Sequence, residues 1–225
     1  RKMIKAILFD LDNTLIDFFR LKNNCCNAAI DAMISAGLKI NKKKATKLLF
    51  QLYDKYGIEY ATIFQKFLER IEEKIDYKIL AHGIISYRNM KENYMIPYSG
   101  TVPILIKLRR NYKLAIISDA PVLKVWERLV TMKIEDFFDF VITKSDIKAQ
   151  KPSSKIFRKA LRLLEIKPKE ALMVGDRADR DVKGAKALGI KTVFAKYGNP
   201  KVKNSGADFE INKIEDLIDV VDRLK

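Results

Sequence analysis

The chain has 225 residues, 48% of them hydrophobic and 10% aromatic, with 44 Lys and Arg against 28 Asp and Glu for a net charge of +16. That is the composition and length of one to two globular domains, and it excludes a disordered or fibrous chain. A single histidine, His82, and two adjacent cysteines, Cys25 and Cys26, exclude a multi-histidine metal site and a four-thiolate zinc site within one chain.

Residues 5–9 (Lys-Ala-Ile-Leu-Phe) form a short apolar run that ends in acid. Its near-continuous apolar character is that of a strand buried on both faces. Residues 17–96 show no strand pattern; amphipathic helical spacing recurs at 21–36, 42–56, 61–75 and 79–93. The two cysteines fall in the first of these stretches and read as small buried apolar residues in a reducing compartment. Pro97-Tyr98-Ser99-Gly100 marks a turn out of this segment. Beyond it, helical patterns at 102–110, 122–130, 153–164, 179–188 and 215–224 alternate with apolar runs at 113–118, 140–143, 171–174 and 191–194. Gly189 is suited to close the helix before it, because glycine takes the left-handed conformation freely. Strands alternating with helices predict a parallel sheet covered on both sides. The expected fold is therefore α/β: a Rossmann-like, doubly wound parallel sheet over residues 1–16 and 97–225, with an all-helical domain inserted over 17–96.

No run approaches the roughly 18 apolar residues of a membrane span, and the stretch at 4–9 is too short for a secretory leader. A cytoplasmic protein without membrane partners is the expectation. The positive charge raises the question of nucleic acid. The lysines, however, are spread along the whole chain, densest at Lys39, Lys42, Lys43, Lys44 and Lys47, with no aromatic-rich RNA motif, zinc finger or basic zipper beside them. That distribution argues for solvation and attraction of small anions over specific nucleic-acid recognition. A chain rich in Lys and Ile also suits a thermophilic source.

In an open parallel sheet, ligands bind beyond the carboxyl ends of the strands. Asp10-Leu11-Asp12-Asn13-Thr14 follows the first run, Ser118-Asp119 ends the second, Lys151-Pro152 comes a few residues after the third, and Gly175-Asp176 through Asp181 follows the fourth. In extended backbone, residues i and i+2 point the same way, so Asp10 and Asp12 face one site. With Asp176 and Asp181, up to four carboxylates share one cleft. Such a cluster needs cations to stay ionised: Lys151 supplies one, and a divalent metal is the natural other. Oxygen ligands without nearby His or Cys point to a hard ion, Mg²⁺. Each residue alone also reads as a cap, a turn or a surface lysine. It is their joint occurrence, each after an apolar strand, that is specific. Gly184 and Gly189 do not make a phosphate loop, because Ile190 stands where that loop needs Lys.

These residues resemble the haloacid dehalogenase superfamily of hydrolases with a helical cap domain. Phe9-Asp10-Leu11-Asp12-Asn13-Thr14-Leu15 matches its first motif, Ile117-Ser118-Asp119 its second, Lys151-Pro152-Ser153-Ser154 its third, and Val174-Gly175-Asp176 through Asp181 its fourth. Asp119 and Ser154 depart from the commoner Asn and Pro, and Arg177 stands where a small hydroxyl residue is frequent. The resemblance implies Asp10 as the nucleophile that forms an aspartyl-phosphate, and Asp12 as general acid and then base. It implies Ser118, the backbone N–H of Asp119 and Thr14 around the phosphate, and Lys151 as the balancing cation. It places Mg²⁺ on Asp10, Asp176 and the backbone carbonyl of Asp12, with Asp181 binding it directly or through water, or else orienting Lys151. The presence of Asp12 favours phosphate esters over haloacids, since a halide leaves without a proton. The expected substrate is a small phosphorylated metabolite, with glyceraldehyde 3-phosphate, the substrate of archaeal members, foremost. A sugar phosphomutase on the same core and a basic nucleic-acid-binding protein with a vestigial site are the competing expectations. The oligomeric state is not legible.

Overall fold

A computed structural model describes residues 4–224; residues 1–3 and 225, the ends of the expected core, lie outside it. In chain order the elements are β1 (Ala6–Phe9), α1 (Phe18–Ser35), α2 (Lys42–Tyr56), α3 (Ile63–Leu68), α4 (Tyr77–Tyr94), α5 (Thr101–Arg109), β2 (Lys113–Ser118) and α6 (Val122–Thr131). There follow β3 (Phe140–Thr143), α7 (Lys144–Ile147), α8 (Ser154–Leu164), β4 (Ala171–Gly175), α9 (Lys183–Lys186), β5 (Lys191–Ala195), β6 (Phe209–Ile211) and α10 (Leu217–Arg223). The chain divides into two compact units. One runs up to Phe18 and resumes at Ile96; the other is Phe19–Met95.

The first unit is built on a six-stranded sheet of order β3-β2-β1-β4-β5-β6, parallel throughout. This is the Rossmann-like, doubly wound α/β arrangement. Every residue of β1 is buried, as a central strand covered on both faces requires. Ala6 and Leu8 share one face with Ala115, Ile117, Ile142, Ala171 and Met173, where α8 lays down Ile156, Phe157, Ala160, Leu161 and Leu164. Ile7 and Phe9 alternate to the other face; Phe9 meets the edge of Phe138 there, and α5 packs against β2. The central strand β1 lies between β2 and β4, where the strand order reverses, so its carboxyl end opens at the switch point of the sheet.

The second unit is four helices around one apolar cluster. Ala29, Ile30 and Met33 of α1 meet Leu49, Leu52 and Tyr53 of α2, Phe64 and Phe67 of α3, and Ile79 and Leu80 of α4. Asn41 caps α2 by accepting from the N–H groups of Lys43 and Lys44, and Asp76 caps α4 through Lys78 and Ile79. Cys25 and Cys26 are buried free thiols.

Four elements depart from the pattern in the sequence; the first is α7, a single turn capped by Thr143 and too short for a periodic signal. The third helix of the inserted unit ends at Leu68; the charged stretch Glu69-Arg70 and Glu72-Glu73-Lys74 follows, and only Ile71 and Ile75 still pack on the apolar cluster before Asp76 caps α4. The edge strand β6 has three residues and only Ile211 buried, too little for a periodic signal. The stretch expected as one helix over 179–188 begins as a π-helical turn, Ala178–Val182, before α9. Gly189 does take the left-handed conformation, with φ of 76°. Among the described residues no helix is long and apolar enough to cross a membrane.

Candidate active site

Strand ends deliver the chemistry. Asp10 directly follows β1, its N–H bonded to the Val174 carbonyl of β4 at 2.9 Å. Gly175 ends β4 and Asp176 follows it. The π-helical turn then brings Asp181 back towards the sheet: the Arg177 carbonyl accepts from the N–H groups of Arg180, Asp181 and Val182 at 3.2, 2.7 and 3.3 Å. Gly175 makes room for that return, since a Cβ there would run into the Asp181 carboxylate. Single π turns of this kind are frequent at functional sites.

Asp10, Asp176 and Asp181 are buried, and each offers an oxygen within 4.8 Å of those of the other two. Lys151, also buried, places its Nζ 2.5 Å from Asp10 Oδ1 and 2.6 Å from Asp181 Oδ1, and donates to the Ile117 carbonyl at 3.0 Å. Burial raises the Asp10 carboxyl above its usual range against the pull of Lys151. Burial, then the charges of Asp10 and Asp181, push Asp176 up to about 8. Burial likewise pushes Asp181 up to about 7, opposed by Lys151. Lys151 is itself raised: burial would lower an ammonium, but Asp10 and Asp181 hold it charged.

Three carboxylates against one ammonium leave surplus negative charge. Asp176 Oδ2 is buried without a hydrogen-bonding partner. An all-oxygen donor set with an orphaned, buried carboxylate oxygen fits a hard divalent cation. Asp12 lies outside this trio; its carboxylate instead meets Arg128, Nε to Oδ1 at 3.3 Å.

The remaining expected residues line the same rim. Thr14 Oγ1 lies 3.5 Å from Asp10 Oδ2, and the Thr14 carbonyl accepts from Tyr197 Oη at 2.7 Å. Ser118 is buried at the end of β2, its Oγ accepting from the Ala120 N–H at 3.2 Å. Asp119 bridges two loops: Oδ1 accepts from the Lys151 N–H at 2.8 Å, and Oδ2 pairs with Arg180 at 3.3 Å. Arg177 engages Asp179 through Nε and Nη2, at 3.1 and 3.0 Å.

Sequence reasoning missed Arg128, Tyr197 and Asn199. Asn199 donates to the Asp176 carbonyl at 3.3 Å. Arg128 had a readable signal: it shares the apolar stripe of α6 with Val125 and Leu129, where a charge has no reason to be unless it has a partner. Tyr197 and Asn199 sit in the loop after β5, where no periodicity singles them out.

Residues 7–195 match the model of the haloacid dehalogenase-like hydrolases. The chain is 39% identical to a glyceraldehyde 3-phosphate phosphatase of Pyrococcus abyssi, covering 98% of this chain and 94% of the relative. A protein of the same description from Methanocaldococcus jannaschii is 36% identical, with 99% of each chain covered. Among solved structures, a HAD phosphatase from Thermococcus onnurineus superposes with a TM-score of 0.71 at 28% identity, over 97% of this chain and 98% of that one.

Proposed function

The chain belongs to the haloacid dehalogenase-like hydrolases, and from that premise we propose that it is a Mg²⁺-dependent phosphatase of small organic phosphates, glyceraldehyde 3-phosphate foremost, acting through an aspartyl-phosphate on Asp10. The observation that carries this reading is the buried trio Asp10, Asp176 and Asp181 facing Lys151, with Asp12 two residues from the nucleophile. The substrate follows the names of the relatives that match along nearly the whole chain.

Asp10 attacks phosphorus; the new Asp10 O–P bond forms as the ester P–O bond breaks. Asp12 gives its proton to the departing alkoxide, then takes one from the water that attacks the phosphoryl group, and the Asp10 O–P bond breaks to free inorganic phosphate. Lys151 offsets charge on Asp10 throughout. Ser118, the Asp119 N–H and Thr14 orient phosphoryl oxygens. Asp10, Asp176, Asp181 and the Asp12 backbone carbonyl would hold Mg²⁺, which supplies electrostatic stabilisation of the phosphoryl oxygens. Phosphoryl transfer depends chiefly on such positioning and charge stabilisation.

The test is phosphate release from a panel of small phosphate esters, with Mg²⁺ and with EDTA. The reading requires Mg²⁺-dependent turnover, abolished in Asp10→Asn, with glyceraldehyde 3-phosphate above the rest. Release from no ester, or full activity in Asp10→Asn, overturns it.

A further inference from the structure

The helix α6 is inside out at one position. Leu123, Trp126 and Val130 are exposed, while Arg128 is only 3% exposed. Burial free energy alone would place the leucine and tryptophan inward and the arginine outward. Two contacts account for the inversion. The Arg128 guanidinium carbon stands 4.4 Å from the centroid of the Phe18 ring, and Nε lies 3.3 Å from Asp12 Oδ1. Arg128 therefore ties together the residue two beyond Asp10 and Phe18, where the first segment of the sheet-containing unit ends.

We propose that Arg128 is a positioning residue: its buried guanidinium, clamped on Phe18, fixes the Asp12 carboxylate in the orientation from which it exchanges a proton with the leaving oxygen. A short carboxylate on a loop has two free torsions, and a misplaced acid loses its share of the rate. Arginine suits the task. Its guanidinium is planar and stays charged at any working pH, and it stacks on an aromatic face. Packing on α6 and the Phe18 ring leaves it little freedom, so the carboxylate is held by a rigid partner.

The inference rests on the reading of Asp12 as the acid, and one pair of substrates separates the two. An alkyl phosphate such as glycerol phosphate needs a proton on its leaving oxygen; p-nitrophenyl phosphate releases a stable phenolate and does not. kcat/KM reports the steps up to release of that group, so later hydrolysis of the phosphoenzyme does not blur it. Asp12→Ala is expected to lose about a hundredfold or more on the alkyl ester beyond its loss on the aryl ester. Arg128→Met is expected to lose about tenfold or more with the same selectivity, and Arg128→Lys to recover part of it, since the charge returns without the flat guanidinium that stacks on Phe18. Adding Arg128→Met to Asp12→Ala should cost nothing further on the alkyl ester.

Equal losses on both esters in the Arg128 variants, or none, overturn the positioning role. If Asp12→Ala is selective while the Arg128 variants are not, only the role of Arg128 falls. If Asp12→Ala strikes both esters alike, the acid reading falls and this one with it. Aryl-ester turnover is the folding control, and if Arg128→Met lacks it, Arg128→Lys decides by the same comparison.

Discussion

The Lys151 ammonium lies 2.5 Å from Asp10 Oδ1, both groups inside the protein. A buried ion pair adds little as a unit, yet breaking it is costly because the orphaned charge stays buried. In metal-free protein, Lys151→Met should therefore lose about 3–5 kcal/mol of stability near pH 8 and nearly all turnover. Asp176 and Asp181 are already pushed up to about 8 and about 7. At lower pH they take up protons, so the loss should shrink. Urea unfolding of both proteins in EDTA, at about pH 5.5 and about pH 8.5, checks this. An equal loss at both would mean that Lys151 matters through packing and not charge.

The same carboxylates fix the sign of the pH dependence of the unmutated protein. Their folded values are raised above the unfolded value of 3.8, chiefly by burial. Between those limits the folded state holds more protons than the unfolded one. The stability they contribute is complete below the unfolded value and drains away as pH rises through the folded ones. Melting temperature in EDTA should thus fall from acid towards about pH 8. On the proposed function Mg²⁺ would bind the ionised form and stabilise by mass action, so its gain should grow over the same range. A Mg²⁺ gain independent of pH would place the ion elsewhere.

The sheet and the convergence on its rim could be read in advance because both rest on short-range pattern. Apolar runs of four to six residues mark strands, and each is followed by its polar residues, so the parallel topology alone brings Asp10, Lys151 and Asp176 to one edge. Asp181 needed more: its aim depends on the π-helical turn, which regular helical spacing does not encode. The orientation of Asp12 was illegible for a similar reason. The i, i+2 rule describes extended backbone, but the loop leaves the strand at once, with Asn13 in the left-handed region at φ 59° and the Leu11 carbonyl accepting from Thr14, Leu15 and Ile16. What its carboxylate meets is decided by Arg128, more than a hundred residues away in sequence.

Asp119 has two separable duties. Asn at this position keeps an acceptor for the Lys151 N–H but loses the pair with Arg180, which is partly exposed and at 3.3 Å. Asp119→Asn should cost under about 1 kcal/mol. Asp119→Ala removes the acceptor too and should cost about 1–3 kcal/mol more, with reduced kcat because Lys151 is anchored through that N–H. Denaturation midpoints and kcat of the two variants distinguish the duties; equal effects would leave Arg180 as the partner that matters.

The adjacent cysteines offer a check on the inserted unit. Burial pushes both thiols up to about 11, helped at Cys25 by the neighbouring Cys26. Thiolate is the reactive form, so the folded protein should resist a disulfide reagent at neutral pH and react with two equivalents in urea. Rapid labelling of the native protein would mean that α1 opens locally.

Two glycines separate loss of function from loss of fold. At Gly189 an added Cβ meets nothing within 4 Å, but φ is 76°, a conformation that disfavours L side chains. Gly189→Ala should cost about 1–2 kcal/mol of stability and leave turnover unchanged. At Gly175 a Cβ would collide with the Asp181 carboxylate, whose Oδ2 accepts from the Arg177 N–H at 3.0 Å and whose Oδ1 meets Lys151. Gly175→Ala should overpack the strand end by about 1–3 kcal/mol and, unlike Gly189→Ala, displace Asp181 from the trio. Its signature is a weakened Mg²⁺ affinity, read by calorimetry, together with a fall in turnover larger than any comparably destabilised variant shows. Unchanged Mg²⁺ binding in Gly175→Ala would mean that Asp181 serves Lys151 alone and does not reach the metal.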